Sequence, residues 1–512
     1  MSNSEKLSIA KGLKLILSEA AQRHLYEHAA FQPPLSSQPE RQRITTTYYD
    51  TPDKILAKHG ACLSIRRAGE ELVQTVTCRD DDAVNASLSR WEGRCQEDKP
   101  DLALFNRTPA AKQMPSSLVT NLQKTLVMEI GRTTRSLKLD HAAVADATLD
   151  EGRITAGDTV VRLRELEWKL RSGTAGPLYR LALELHAQAP LTIAVESEEA
   201  RGYRLATGIA PASEKASDIV LAPDIIAGEG LRQLIESALG HLLLNQPAAL
   251  AGVIEGVHQM RVAIRRLRAI LVLFEPYLEA HAAGRFEEEL GRVGQVFGHA
   301  RDWDVFCTEI LPIAFAPSDV CGWLHLLKEP ATVCRKAAHA AFQQECTSPR
   351  FTALVLGMAA WVEDSRLNAS ILGDEALSRP LIHLAPKLLN RLADKVDRRG
   401  QHIENRSEEE LHALRKAFKK LRYGTEFVES VFFHQNEKHF QKCCTRLQEI
   451  LGTINDAANA EVLAQSLAQG GRADLAPAVG ILAKDLEQKW QKSLHDLGEA
   501  WKEFQRARRF WS

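Results

Sequence analysis

Two stretches decide how this chain folds: Val257-His-Gln-Met-Arg-Val-Ala-Ile-Arg-Arg-Leu-Arg268 and Leu411-His-Ala-Leu-Arg-Lys-Ala-Phe-Lys-Lys-Leu-Arg-Tyr423. His258 matches His412, Arg261 matches Arg415, Arg265 and Arg266 match Lys419 and Lys420, and Arg268 matches Arg422, each pair 154 residues apart. A second motif trails each copy, Gly298-His-Ala-Arg-Asp302 and Gly452-Thr-Ile-Asn-Asp456, at the same offset. Two motifs repeated at one spacing mark a duplicated unit. Positions 258, 261, 265 and 268 follow i, i+3, i+7, i+10 and fall on one stripe of an α-helix. Met260, Ile264, Leu267 and Leu271 fill the adjacent face, as do Leu414, Phe418, Leu421 and Thr425 in the second copy.

Like charges one helical turn apart repel by a few tenths of a kcal/mol per pair. No acid lies inside either motif to relieve this, so an anionic ligand is the natural relief. Guanidinium groups suit phosphate oxygens through paired hydrogen bonds. The candidate cations are His258, Arg261, Arg265, Arg266, Arg268, His412, Arg415, Lys416, Lys419, Lys420 and Arg422. Arg335, Lys336, Arg350, Lys387, Arg391, Lys395 and Arg398 lie on helical patterns and could extend such a groove. Asp302 and Asp456 read as structural partners of the stripes rather than as catalytic groups.

The bulk numbers narrow the function. The chain has 512 residues, enough for two to four domains, and a net charge of −1. No global basic excess drives it onto nucleic acid or membrane, so any anion site is local. The stripes also lack the interleaved aromatic residues of a single-strand binder, which argues against nucleic acid as partner. Nine scattered cysteines without a C-x-x-C pair fit reduced thiols, and hence a cytoplasmic location. The longest uncharged apolar run, around 351–362, is too short to span a bilayer.

Up to about residue 206 many segments alternate, and Leu72–Thr77, Val160–Leu170 and Leu178–Leu185 read as strands. Beyond about 228 the period is helical. The expected organisation is a β domain over 1–206, a linker over 207–227, and an all-α domain over 228–512 with halves at about 228–372 and 380–512.

The paired H-x-x-R-x-x-x-[RK]-[RK]-L-R helices with their G-x-x-R-D and G-x-x-N-D sequels resemble the CHAD family, the conserved histidine α-helical domain. That resemblance implies two pseudo-symmetric four-helix bundles around a basic groove that binds inorganic polyphosphate, with polyphosphate granules as an implied location. Thr46-Thr-Tyr-Tyr-Asp-Thr-Pro-Asp53, Leu56–Arg67 and Ser197-Glu-Glu-Ala-Arg-Gly-Tyr203 resemble the CYTH, or triphosphate tunnel, family. CYTH domains commonly precede CHAD domains. The resemblance implies an eight-stranded antiparallel tunnel in which Arg and Lys hold a triphosphate and Glu holds a divalent metal.

Several of that family's groups are missing. Its opening Glu-x-Glu-x-Lys aligns with Ala10-Lys-Gly-Leu-Lys14, so only Lys14 survives. Ser64, Thr77 and Glu198 stand where cations are expected. Lys14, Arg66, Arg90, Glu92, Arg135, Glu165 and Glu167 remain as residual tunnel groups, the last two alternating as a strand pair can. Metal-assisted phosphoryl transfer needs carboxylates to place the cation and positive groups to neutralise phosphate. The sequence therefore points to a polyphosphate-binding protein whose tunnel domain is non-catalytic and needs no cofactor. The alternatives are a magnesium- or manganese-dependent inorganic triphosphatase, with Glu165 and Glu167 as metal ligands, and, second, a nucleic-acid-binding protein.

Overall fold

The computed structural model describes residues 12–79, 88–108, 110–111, 121–314, 321–365, 373–432, 437–469 and 472–511. It divides into two compact units. The first runs to Ala212 and takes in Val355–Asp364; the second comprises Ser213–Leu354 and the chain from Ser365 onward. No helix among the described residues is long and apolar enough to cross a membrane.

Among the described residues the first unit is built on nine strands: β1 (Gly12–Leu17), β2 (Glu40–Asp50), β3 (Ala61–Ala68), β4 (Glu71–Arg79), β5 (Leu88–Arg94), β6 (Gln123–Lys138), β7 (Val144–Ala156), β8 (Thr159–Ser172) and β9 (Leu191–Ile193). They form one sheet in the order β5-β4-β3-β2-β6-β7-β8-β1-β9. Every pairing is antiparallel. The three-residue β9 takes the count one beyond the eight strands expected. Helices α1 (Glu19–Glu27), α2 (Gly176–Gln188) and α3 (Glu198–Thr207) accompany the sheet.

Leu178–Leu185, expected as a strand, lies within α2. The stretch satisfies both periods, since Leu178, Leu181, Ala182 and Leu185 also share a helical face and all are buried. Pro177 in the first turn, where its missing N–H costs nothing, decides for helix.

The motif residues Asp50 and Tyr203 meet. The Asp50 carboxylate accepts the backbone N–H groups of Thr51 (2.7 Å), Leu56 (2.9 Å) and Ala57 (3.1 Å), and the Tyr203 hydroxyl lies 3.0 Å from its second oxygen. This pins α3 to the end of β2. Next to Tyr203, a Cβ on Gly202 would come within 2.5 Å of the end of the Leu126 side chain, which would have to shift to admit it.

The second unit is helical. Its first half contains α4 (Ala227–Leu250), α5 (Ile254–Phe274), α6 (Ala280–Val305) and α7 (Cys321–Cys346). Then α8 (Pro349–Asp364) crosses into the first unit. The second half contains α9 (Leu381–Gly400), α10 (Glu408–Val428), α11 (Glu437–Gln469) and α12 (Ala476–Arg506). The repeat is now visible in the elements: α4 and α9 begin 154 residues apart, and α5 and α10 both begin and end at that offset. Helix α8 has no described counterpart in the second half.

The two halves meet about a local two-fold axis. Ile226 bridges its own equivalent, Pro380, in antiparallel fashion. Around this bridge the Ala227 N–H donates to the Arg379 carbonyl (2.9 Å) and the Leu381 N–H donates to the Ile225 carbonyl (2.8 Å). Residues 225 and 379, and 227 and 381, are repeat partners, so one bond is the symmetry mate of the other. Helices α5 and α10 pack side by side, with Met260, Ile264, Leu267, Leu414, Phe418 and Leu421 at most 1% exposed.

Candidate functional site

Burying the apolar faces of α5 and α10 turns the stripe residues toward one another across the local axis. His258, Arg261 and Arg265 of the first half and Arg415 of the second line one cavity of about 150 Å³, together with Arg301, Asp302 and Asp456. Arg415 also lines an adjoining cavity of about 370 Å³ with His412 and Lys416. The two stripes thus share a site.

Its electrostatics are those of an under-neutralised cation cluster. Burial, then Arg415, Arg265 and Arg261, push the Lys419 ammonium down to about 6. Burial also lowers Arg265, with Arg261 and Arg422 adding repulsion, and lowers Arg415, with Arg261 and Arg265 adding repulsion. Burial and the nearby Arg301 hold His258 neutral, down to about 4. The buried Nδ1 of His258 and Nε of Arg265 and Arg415 have no hydrogen-bond partner. Two of the acids present are repeat partners too: Arg261 donates to Asp302 at 3.1 Å, and Arg415 stands 3.6 Å from Asp456, while Glu309 pairs with Arg301 at 2.9 Å. His412 differs from His258, its Nδ1 lying 2.8 Å from the Asn455 side-chain oxygen.

Other expected groove residues lie elsewhere. Arg266 is 5% exposed, paired with Glu426 and packed over the Phe427 ring at 5.1 Å. One residue past Arg265 on a helix is a turn of about 100°, which takes Arg266 off the stripe and into the α5–α10 contact. Arg268 pairs with Glu287 (2.7 Å), and Arg422 pairs with Glu426 (3.2 Å) over the Tyr423 ring. Lys420 stands apart from the axial cluster, its ammonium lowered by burial and by Lys395 and Arg268. Arg335 holds the fully buried Asp304 at 2.7 Å, Arg350 holds Glu289, and Arg391 holds Glu275 at 2.9 Å. These three tie helices together rather than line a groove. Lys336, Lys387, Lys395 and Arg398 are exposed. Arg301 enters the site unanticipated, although the G-x-x-R-D motif contained it.

In the first unit, a cavity of about 210 Å³ is lined by Thr46, Ser64, Arg66, Thr75, Arg90, Arg132 and Glu198. Two of its three arginines, Arg90 and Arg132, are paired with internal acids, as are Lys14 and Arg201 of the same unit. Lys14 contacts Glu165 (2.7 Å) and Glu198, and Arg201 reaches Glu165 at 2.5 Å. Arg132 grips Asp150 through two hydrogen bonds of 2.8 and 2.6 Å, and Arg90 contacts Glu92 at 2.5 Å. Burial raises Glu165 against the pull of Lys14 and Arg201. Burial acts likewise on Glu198, but Lys14 outweighs it and holds the carboxyl below its ordinary range.

Arg135 is a correction. Met128, Ile130 and Arg132 face the cavity, and the uninterrupted β6–β7 register puts Arg135 on the opposite face. There it donates to the Phe31 carbonyl at 3.1 Å. Arg132 holds the cavity-facing place instead. Ala10 lies outside the described residues. At Gly12, a Cβ would come within 2.8 Å of the Trp168 carbonyl oxygen, so the backbone there leaves little room for a glutamate.

A divalent cation does not fit the acids present. Both oxygens of Glu165 already hold cations, Glu167 faces Lys169 at 3.3 Å, and no group of three or more His, Cys, Asp or Glu among the described residues could hold a metal.

Comparison with known proteins agrees with both units. The CHAD domain model matches residues 233–465 and the CYTH domain model matches residues 13–203. An inorganic triphosphatase of Haemophilus influenzae is 29% identical over 166 residues, 32% of this chain and 46% of that protein. The chain thus matches less than half the length of that relative. Among solved structures, the CHAD domain from the plant Ricinus communis is 26% identical with a TM-score of 0.52, covering 58% of this chain and 98% of its own. PptA from Streptomyces chartreusis is 17% identical with a TM-score of 0.44, covering 54% and 99%. With one family's model on each of its two units, the chain carries a CYTH domain and a CHAD domain in tandem.

Proposed function

We propose that this protein binds inorganic polyphosphate on the local two-fold axis of its CHAD domain and that its CYTH domain does not catalyse triphosphate hydrolysis. The observation that carries the reading is the convergence of Arg261, Arg265, Arg415 and Lys419, drawn from both repeats, with Asp302 and Asp456 beside them and the third acid of the cavity, Glu309, taken up by Arg301 at 2.9 Å. Buried like charges are costly without counter-charge. A linear polyanion supplies that charge to both repeats at once, and joining two contacts in one ligand raises the effective concentration of the second. Association with polyphosphate granules follows from the same property.

In the CYTH domain, Glu198 stands against Lys14, and Asp150 takes the Nε and one Nη of Arg132, the bidentate edge it would otherwise offer a phosphate. Electrostatic stabilisation of the transferring phosphoryl group needs such cations free. A triphosphatase reading draws on the Haemophilus relative, but it must first release these pairs.

The test is a polyphosphate-binding titration of the full chain at several salt concentrations, with single-stranded RNA as competitor. Four phosphate contacts at about 0.7 counterion each predict a log–log slope of about −3. A flat salt dependence, or RNA competing as well as polyphosphate, overturns the reading.

A further inference from the structure

Asp302 and Asp456 remain unexplained by a simple basic groove, since each places a negative charge where the ligand should sit. Both line the cavity shared by the two halves. Each is held loosely. Asp302 accepts a single 3.1 Å hydrogen bond from Arg261, and Asp456 stands 3.6 Å from Arg415, beyond hydrogen-bonding reach, with only a long 3.5 Å contact from the Asn455 amide. The Arg132–Asp150 pair of the other unit has two bonds and a carboxylate only 6% exposed. The side chains of Asp302 and Asp456 are 30% and 56% exposed, so each can swing toward water. An exposed ion pair of this kind is worth about 1 kcal/mol or less. Asp456 is also the acid that favours the charged forms of Arg265, Arg415 and Lys419 in the free protein.

Accepting the polyphosphate reading, we propose that Asp302 and Asp456 are displaceable counter-ions: they neutralise the axial arginines in the free protein and must be released for the polyanion to bind. An anion of low charge gains too little to displace them, whereas a chain touching both repeats displaces both. The two aspartates therefore set the charge the site demands of its ligand. A purely structural pair would act in the opposite direction, by holding the guanidinium groups in place for the ligand.

Asp302→Asn, Asp456→Asn and the double variant keep side-chain size and one acceptor oxygen. Binding of pyrophosphate, tripolyphosphate and long-chain polyphosphate to the full chain would be measured against salt. Removing one elementary charge from the lining of the site should tighten binding about tenfold, the scale of one screened charge–charge interaction. Long-chain binding should become more salt-sensitive, steepening by about 0.7 in slope for each additional phosphate neutralised. Tripolyphosphate should gain measurable binding in the double variant. If the wild type binds polyphosphate and the asparagine variants bind it equally or more weakly, the counter-ion role is overturned and the polyphosphate reading stands. If neither wild type nor variants bind at low salt, both fall. Binding by the double variant alone supports the counter-ions and overturns polyphosphate as the native ligand.

Discussion

Replacing Lys419 with methionine should make the free protein more stable and its polyphosphate complex weaker. Methionine retains an unbranched apolar stem and removes the charge. The ammonium sits among Arg415, Arg265 and Arg261, with Asp456 in partial compensation, and is held at about 6 against an ordinary 10.5. Between those values the unfolded chain binds a proton that the native state does not, so stability rises with pH across this window. At pH 7 the interval up to 10.5 corresponds to a cost of up to about 5 kcal/mol, at about 1.4 kcal/mol per unit. Part of that cost is met by local relaxation, and a gain of about 2 kcal/mol is expected for Lys419→Met, read as a higher midpoint in urea unfolding of the full chain. The gain should shrink as pH approaches 10, where the unfolded lysine also loses its charge. With saturating polyphosphate the order should invert, because the ligand stabilises the wild type more. A variant no more stable than wild type at pH 7, with unchanged affinity, would refute the placement of Lys419 in a repelling cluster.

Polyphosphate binding should take up protons near pH 7, because the anion restores the charged forms of Lys419 and His258, held at about 6 and about 4 in the free protein. Affinity should rise as pH falls from 8 to 6, and calorimetry in buffers of different ionisation heat would read the uptake; zero uptake contradicts it. Arg266→Ala should destabilise the chain by about 3 kcal/mol, the scale of breaking a buried pair, with little effect on polyphosphate affinity at a temperature where the variant is folded. Arg265→Ala should do the reverse, and urea unfolding beside binding titrations separates the two. Tripolyphosphate with magnesium or manganese should be turned over well below about 1 per second, a modest enzyme rate; phosphate release at or above that rate would mean that the internal pairs of the CYTH domain open.

The helical stripes were legible because a buried helix face fixes what its neighbours can do. Once Met260, Ile264 and Leu267 are assigned to the core, the directions of His258, Arg261 and Arg265 follow. The same rule, applied strictly, would have excluded Arg266, which lies a sixth residue past Met260 but points to the partner helix through Glu426. In the β unit the register of a strand sets the face of each residue, and Arg135 lies an odd number of residues from Arg132, so one of them had to face away from the cavity. The helix at Leu178–Leu185 was ambiguous because its apolar residues suit both periods, and a single proline decided between them. What no local pattern could reveal is pairing over distance. Lys14 and Glu198 are 184 residues apart, and their contact turns two unusual sequence positions into one compensated pair.

The reciprocal hydrogen bonds at Ala227 and Leu381 make the CHAD domain a homodimer written into a single chain. In a true homodimer every substitution appears twice, once on each side of the axis. Fusion removes that constraint: Arg265 faces Lys419, Arg301 has become Asn455, and one histidine is bonded while the other is not. The two approaches to the axis can therefore specialise independently, one carrying the neutral His258 beside an arginine and the other an exposed His412 fixed by an amide. A ligand lying across the axis meets different chemistry at its two ends, so a chain without intrinsic direction is given one by the protein that holds it.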